Sequence, residues 1–216
     1  MNTDQVFFSV KVQVMRIFVL ILIWAGTQVQ ANAQEEQGFV LQTDEDGVFV
    51  WVRPESNDDL TVRVAITARA SVSEVRKVID HASAYPRWVH RCEEAYVLPG
   101  GTPKAYSYYS RVNLPFPFSD REVVGAITQS VDVNTGVFTR IIKSTPTALP
   151  MNKGIQRVET YDSTWKVEPL SDNKVAITCT VRTAAGSGLP NWLRHEIMTG
   201  GPVKTMKGLV EELEKD

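Results

Sequence analysis

The chain has 216 residues, 23 Lys and Arg against 25 Asp and Glu, and a formal net charge of −2. That near-balance leaves no basic stripe for nucleic acid, and its two cysteines and three histidines form no metal-ligand spacing. The length suits a single core once a leader is set aside.

The N-terminus reads as an export signal. Lys11 and Arg16 precede the apolar run 17–25, and the polar stretch after it ends in Ala31-Asn32-Ala33. This is a positive region, a short apolar region and a small-x-small site, so cleavage after Ala33 is expected. A spanning helix needs about 20 apolar residues. Met15 would begin a compact signal by itself. Cleavage removes Lys11, Arg16 and Asp4, so the mature chain carries one charge more negative than the precursor. It is expected to be periplasmic or secreted. That compartment allows a bridge between Cys92 and Cys179, and the sequence leaves the pairing open.

Residues 34–46 are polar and acidic and read as a flexible lead-in to a domain over 47–216. Residues 48–53 and 60–68 alternate as two strands around the turn Asn57-Asp58-Asp59, a hairpin. Ser71-Val72-Ser73-Glu74 is a capping box for a helix over 72–83. Val75, Val78, Ile79 and Ala82 form its apolar face, Pro86 should end it near Tyr85, and Trp88 anchors it to a sheet. Strands are expected near 94–98, 105–113, 122–130, 137–143, 155–168 and 174–183. Strands in a run between terminal helices predict an α+β fold with an antiparallel sheet. A final helix runs from Pro190 to about Glu214, with Leu193, Ile197, Met206, Val210 and Leu213 on one stripe. Gly200-Gly201-Pro202 should kink or hinge it.

Several side chains are candidates for binding. Tyr106 and Tyr108 share a strand face with Ser110 and Val112, giving apolar rings with polar tips. Arg157 and Glu159 share a face with Tyr161 and Trp165 if the strand carries no bulge. They read either as an ion pair or as a guanidinium fork for a headgroup. Arg121 and Glu122 read as fixing the strand entry. Met198, Met206 and Val210 on the last helix are adaptable apolar groups. No catalytic constellation, metal site or cofactor motif stands out.

Four motifs in order carry a family resemblance: Tyr85-Pro86-x-Trp88, Ser119-Asp120-Arg121-Glu122, Lys153-Gly154-x-x-Arg157-x-Glu159 and Leu189-Pro190-x-Trp192. Together they resemble the START lipid-transfer domain of the helix-grip superfamily. The resemblance implies a curved antiparallel sheet wrapped around a long C-terminal helix, with an internal apolar cavity. It implies that the helix closes the cavity mouth, and that the hairpin loop 130–136, with Val131 and Val133, gates it beside Gly200 and Gly201. Sterol-binding members hold an acid and an Arg at positions matching Tyr108 and Ile127, which are uncharged here, so a sterol is not implied. The expected function is lipid binding or transfer by a monomer that touches membranes transiently, with no nucleic-acid partner. A cyclase or aromatase of the same fold, or an interaction module with a filled core, are the alternatives.

Overall fold

A computed structural model describes residues 38–55, 59–184 and 188–215. The described helices and strands lie in one compact unit, Leu41–Asp216, Val40 apart. The expected signal peptide and its cleavage site lie outside the described residues.

Among the described residues ten strands form: β1 (Val40–Glu45), β2 (Val48–Pro54), β3 (Leu60–Ala68), β4 (Cys92–Val97), β5 (Ala105–Val112), β6 (Arg121–Val131), β7 (Phe138–Ser144), β8 (Gln156–Arg157), β9 (Tyr161–Pro169) and β10 (Val175–Thr183). They make one sheet in the order β1-β2-β3-β10-β9-β7-β6-β5-β4, with β8 added on β6. From β2 to β4 every neighbour on that path is antiparallel, and β8 pairs in parallel with β6. Pairing of β3 with β10 brings the two ends of the domain together.

Helix α1 (Val72–Asp80) begins with the capping box. Glu74 N donates to Ser71 Oγ at 3.2 Å, and Ser71 N donates to Glu74 Oε2 at 2.6 Å. A 3-10 turn (Ala82–Ala84) and α2 (Tyr85–Trp88) follow. At the C-terminus, α3 (Asn191–His195), a π-helical turn (Glu196–Gly200) and α4 (Gly201–Leu213) form one continuous helical run. Helix α4 packs on β2, β3, α1 and α2. Val48, Val50, Ile177, Met206 and Leu209 are essentially fully buried in the core beneath it.

Five local expectations change. Residues 40–45 are not a flexible lead-in but the strand β1. The turn that joins it to β2 has Asp46 at φ 51° and Gly47 at φ 76°, the left-handed pair that a tight hairpin needs. The first helix stops at Asp80, and Pro86 opens α2 instead of ending α1, because an early helical position has no use for the missing N–H. The strand expected over 155–168 is split into β8 and β9. Strand β7 covers β6 only from Gly125 onward, and β8 satisfies the remaining edge at Arg121 and Glu122.

The expected kink at Gly200-Gly201-Pro202 takes the form of a π turn. Both glycines keep right-handed helical angles, and Gly201 N donates to Glu196 O five residues back. The wider turn accommodates a proline that has no N–H and crowds the preceding carbonyls. Finally, the buried stripe of α4 is centred on Val203, Met206 and Leu209, with Val210 and Leu213 only half-buried.

Candidate functional site

A cavity of about 250 Å³ lies between the sheet and the C-terminal helical run. Tyr108, Val123, Ile142, Tyr161, Trp165 and Cys179 line it from the sheet, and Trp88, Val89, Ile197, Met198 and Met206 from the helical side. Strand alternation sets the sheet contribution: Tyr108 faces Gly125 across the β5–β6 ladder. A Cβ at Gly125 would stand 2.8 Å from Ile142 Cγ2 and 3.0 Å from Tyr108 Cε1. The glycine therefore makes the space in which the tyrosine ring lies. Trp88 is buried and meets Tyr85 and Trp165 edge-on, with ring centroids 5.2 and 6.4 Å away.

Polar groups interrupt this apolar wall. His90, Ser110, Asn113, Arg121, Thr183 and Glu196 border the cavity. Glu196, on the π turn, accepts from Lys204 Nζ at 2.6 Å and lies 3.1 Å from His90 Nε2. His90 N donates to Thr205 Oγ1 at 3.1 Å. The helical run is thus latched to the loop after α2. Burial, followed by the Lys204 charge, holds the His90 imidazole below its ordinary value, and the Lys204 hydrogen bond foremost holds the Glu196 carboxyl down. Both cysteines are free thiols bordering the cavity. Burial pushes Cys92 up to about 11 and Cys179 higher still, so neither supplies a thiolate at neutral pH.

Of the residues expected at the site, Tyr108, Tyr161, Trp165, Met198, Met206 and Gly201 line the cavity. Tyr106, two residues before Tyr108, does not: its hydroxyl donates to Asp80 Oδ1 at 3.3 Å and its ring lies 5.6 Å beneath the Arg140 guanidinium. Val210 and Gly200 fall outside the lining. Val131 and Val133 are exposed, and nothing in 130–136 borders the cavity. That loop sits at the far end of β6, where Gly136 approaches Pro169. Instead the β5–β6 loop supplies Asn113 and Leu114 to the lining, and Leu114 packs with Leu189 and Leu193 at the start of the helical run.

Arg157 and Glu159 neither pair with each other nor face the cavity. The chain leaves the ladder between Arg157 and Tyr161, so the two-residue period does not carry across. Arg157 Nε donates to Glu122 Oε1 at 2.9 Å with Nη2 2.8 Å from the same oxygen, and Nη1 and Nη2 also donate to the carbonyls of Pro146, Leu149 and Pro150. Glu122 also accepts from Tyr109 Oη at 3.1 Å and Asn152 Nδ2 at 2.7 Å. With 3% and 0% of the two side chains exposed, this is a buried structural pair with its fork saturated. Glu159 is exposed.

Sequence reading missed Arg140, His90 and Glu196. Arg140 is 1% exposed; its Nη1 donates to Ile79 O and to Asp80 Oδ1 at 3.2 Å, and its Nη2 to Tyr85 Oη at 3.1 Å. Its signal was legible: it occupies an inward position on β7 between Phe138 and Ile142, both buried. His90 and Glu196 meet across 106 residues and left no local signature. Among the described residues, no three His, Cys, Asp or Glu side chains gather to hold a metal.

No family model matches the sequence. An uncharacterized protein of Pseudomonas aeruginosa is 28% identical over 203 residues, covering 94% of this chain and 98% of that protein. A STAR-related lipid transfer protein fragment from Xanthomonas axonopodis aligns with a TM-score of 0.72 at 25% identity, over 82% of this chain and 99% of that one. Human StAR-related lipid transfer protein 5 aligns at 0.74 and 14% identity, over 89% and 97%. An aromatase/cyclase from Streptomyces sp. R1128 aligns at 0.50 and 15% identity, over 73% and 94%.

Proposed function

We propose that this START-like helix-grip domain binds a hydrophobic or amphipathic small molecule, of lipid class, in the cavity beneath its C-terminal helix, and carries it between membranes. The observation that carries this reading is the apolar cavity of about 250 Å³ walled by tyrosines, tryptophans and methionines. Such a space removes apolar surface from water at about 25 cal/mol per Å², so a bound tail is held until the lid opens.

The β5–β6 loop and the start of the helical run form the gate. Leu114 and Leu193 close it from inside. Phe118 and Trp192 meet edge-on outside at 6.4 Å, and Phe116 projects with 97% of its surface exposed. Trp192 is 60% exposed. Aromatic tips beside a gate suit contact with the headgroup layer of a membrane. Export by the signal at residues 1–33 would place the carrier in the cell envelope. Intact-mass measurement on protein from the periplasmic fraction tests the cut after Ala33.

A catalytic reading draws on the hydrogen-bonded His90 and Glu196 at the cavity wall. Glu196 is already engaged by Lys204, and burial keeps both thiols protonated, which weighs against acid–base or nucleophilic chemistry there. The deciding experiment is native mass spectrometry, with lipid extraction, on the mature chain purified from an envelope fraction. A stoichiometric apolar adduct supports carriage; a protein that arrives empty and takes up no offered lipid overturns it.

A further inference from the structure

Arg121 is 5% exposed and lies in the cavity wall. Its Nη1 donates to Ser119 O at 2.7 Å, and among the described residues no carboxylate pairs with it. The neighbouring acids are committed elsewhere. Asp120 Oδ1 accepts from Leu114 N at 3.2 Å and Asn113 Nδ2 at 3.4 Å. Glu122 points to the opposite face of β6, where Arg157, Asn152 and Tyr109 hold it. Burial alone depresses the Arg121 guanidinium, with no compensating anion beside it. A charge buried without a partner is costly.

A second cation borders the same cavity, on the far side of β5. Val112 pairs with Cys92 on one side and with Arg121 on the other, so Cys92 and Arg121 flank one strand in a single row. Arg91, the residue before Cys92, also borders the cavity; its Nε is buried without a hydrogen-bond partner. Arg91 adopts φ 59°, a left-handed conformation that is unfavourable for a non-glycine residue, and its carbonyl accepts from Asn113 N at 2.8 Å.

We propose that Arg121, with Arg91 on the same cavity wall across β5, is the anchor for the anionic head, a carboxylate or phosphate, of a small amphiphile whose apolar part fills the cavity. This deepens the binding reading above and rests on it. The guanidinium fork suits two anionic oxygens.

The test is titration of the mature protein with octanoate, octyl phosphate, octanol, octylamine and inorganic phosphate, followed by the fluorescence of Trp88 and Trp165. Octanoate and octyl phosphate should bind at least tenfold more tightly than octanol or octylamine. Arg121→Met should weaken the two anionic ligands roughly 10- to 100-fold and leave octanol unchanged, and Arg91→Met should do the same to a lesser degree. Equal binding of octanoate, octanol and octylamine overturns the anchor while the cavity reading stands. Inorganic phosphate binding as tightly as octyl phosphate overturns it in favour of a free-anion site. Failure of every octyl compound removes the cavity reading itself. Should Arg121→Met not fold, the headgroup comparison on the native protein decides by itself.

Discussion

At the scale of single residues, three arginines of the same sheet do different work because their partners differ. Arg140 ties β7 to the end of α1 through Ile79 and Asp80 and to the start of α2 through Tyr85. Arg157 is spent on Glu122 and loop carbonyls, and Arg121 is left with one carbonyl. Replacing Arg140 with Met removes a charged donor from Ile79 O, Asp80 and Tyr85 Oη, which keep their other hydrogen bonds, and should cost about 1–3 kcal/mol in urea denaturation. Glu122 gives a pH signature. Burial pushes its carboxyl up, but hydrogen bonds from Asn152, Arg157 and Tyr109 outweigh that and leave it below the ordinary range. A carboxylate lowered in the folded state stabilises above its unfolded value, about 4.3. That stability is lost as pH falls through the folded value. The melting temperature of Glu122→Gln should therefore be lower than wild type at pH 7 and should converge toward it on acidification.

At the scale of elements, the C-terminal helical run is both wall and lid. A Cβ at Gly208 would stand 2.5 Å from Trp88 O, a backbone atom that cannot swing away. Gly208→Ala should lift α4 from α2 at a cost of about 1–3 kcal/mol, measured by denaturant midpoint. The π turn is the softer part. A Cβ at Gly200 would meet the Glu196 carboxylate at 2.6 Å, the group that accepts from Lys204 and lies beside His90. Since a flexible side chain can yield, Gly200→Ala should loosen the latch rather than unfold the helix, and speed ligand exchange several-fold in stopped-flow. An unchanged rate would show that the π turn is not the moving part. The His90 value is depressed, so its neutral form supports the closed latch above the unfolded value near 6.5. That support is lost as pH falls through the folded value. Exchange should quicken on acidification, and His90→Gln should flatten the profile.

At the scale of the whole molecule, the strand order sets the grip. Pairing of β3 with β10 draws the N-terminal hairpin against the last strand, and α4 packs on β2 and β3. The cavity occupies the space under the helical run that side chains leave unfilled. Occupying it should raise stability by mass action: at a hundredfold excess over Kd, a cavity ligand should add about 2.7 kcal/mol, visible as a concentration-dependent rise in melting temperature. A filled core would show no such dependence.

The amino-acid sequence alone determined what short-range rules control. The capping box at Ser71 and Glu74, the hairpin of β2 and β3, the alternation along β5 and β10, and a helix after Pro190 follow from neighbours within a few residues. So did the inward direction of Tyr108 and Trp165, since side-chain direction repeats every second residue. The pair Asp46-Gly47 also carried a turn signal, which the polarity around it obscured. Tertiary structure decided the pairing of charges. Arg157 finds Glu122 across 35 residues rather than Glu159 beside it, Arg140 reaches Ile79 across 61, and His90 meets Glu196 across 106. It also decided which loop closes the cavity, because the β5–β6 loop rather than 130–136 lands on the start of the helical run. Charge pairing and loop packing depend on which distant groups the sheet order makes adjacent. A local pattern carries no record of that adjacency.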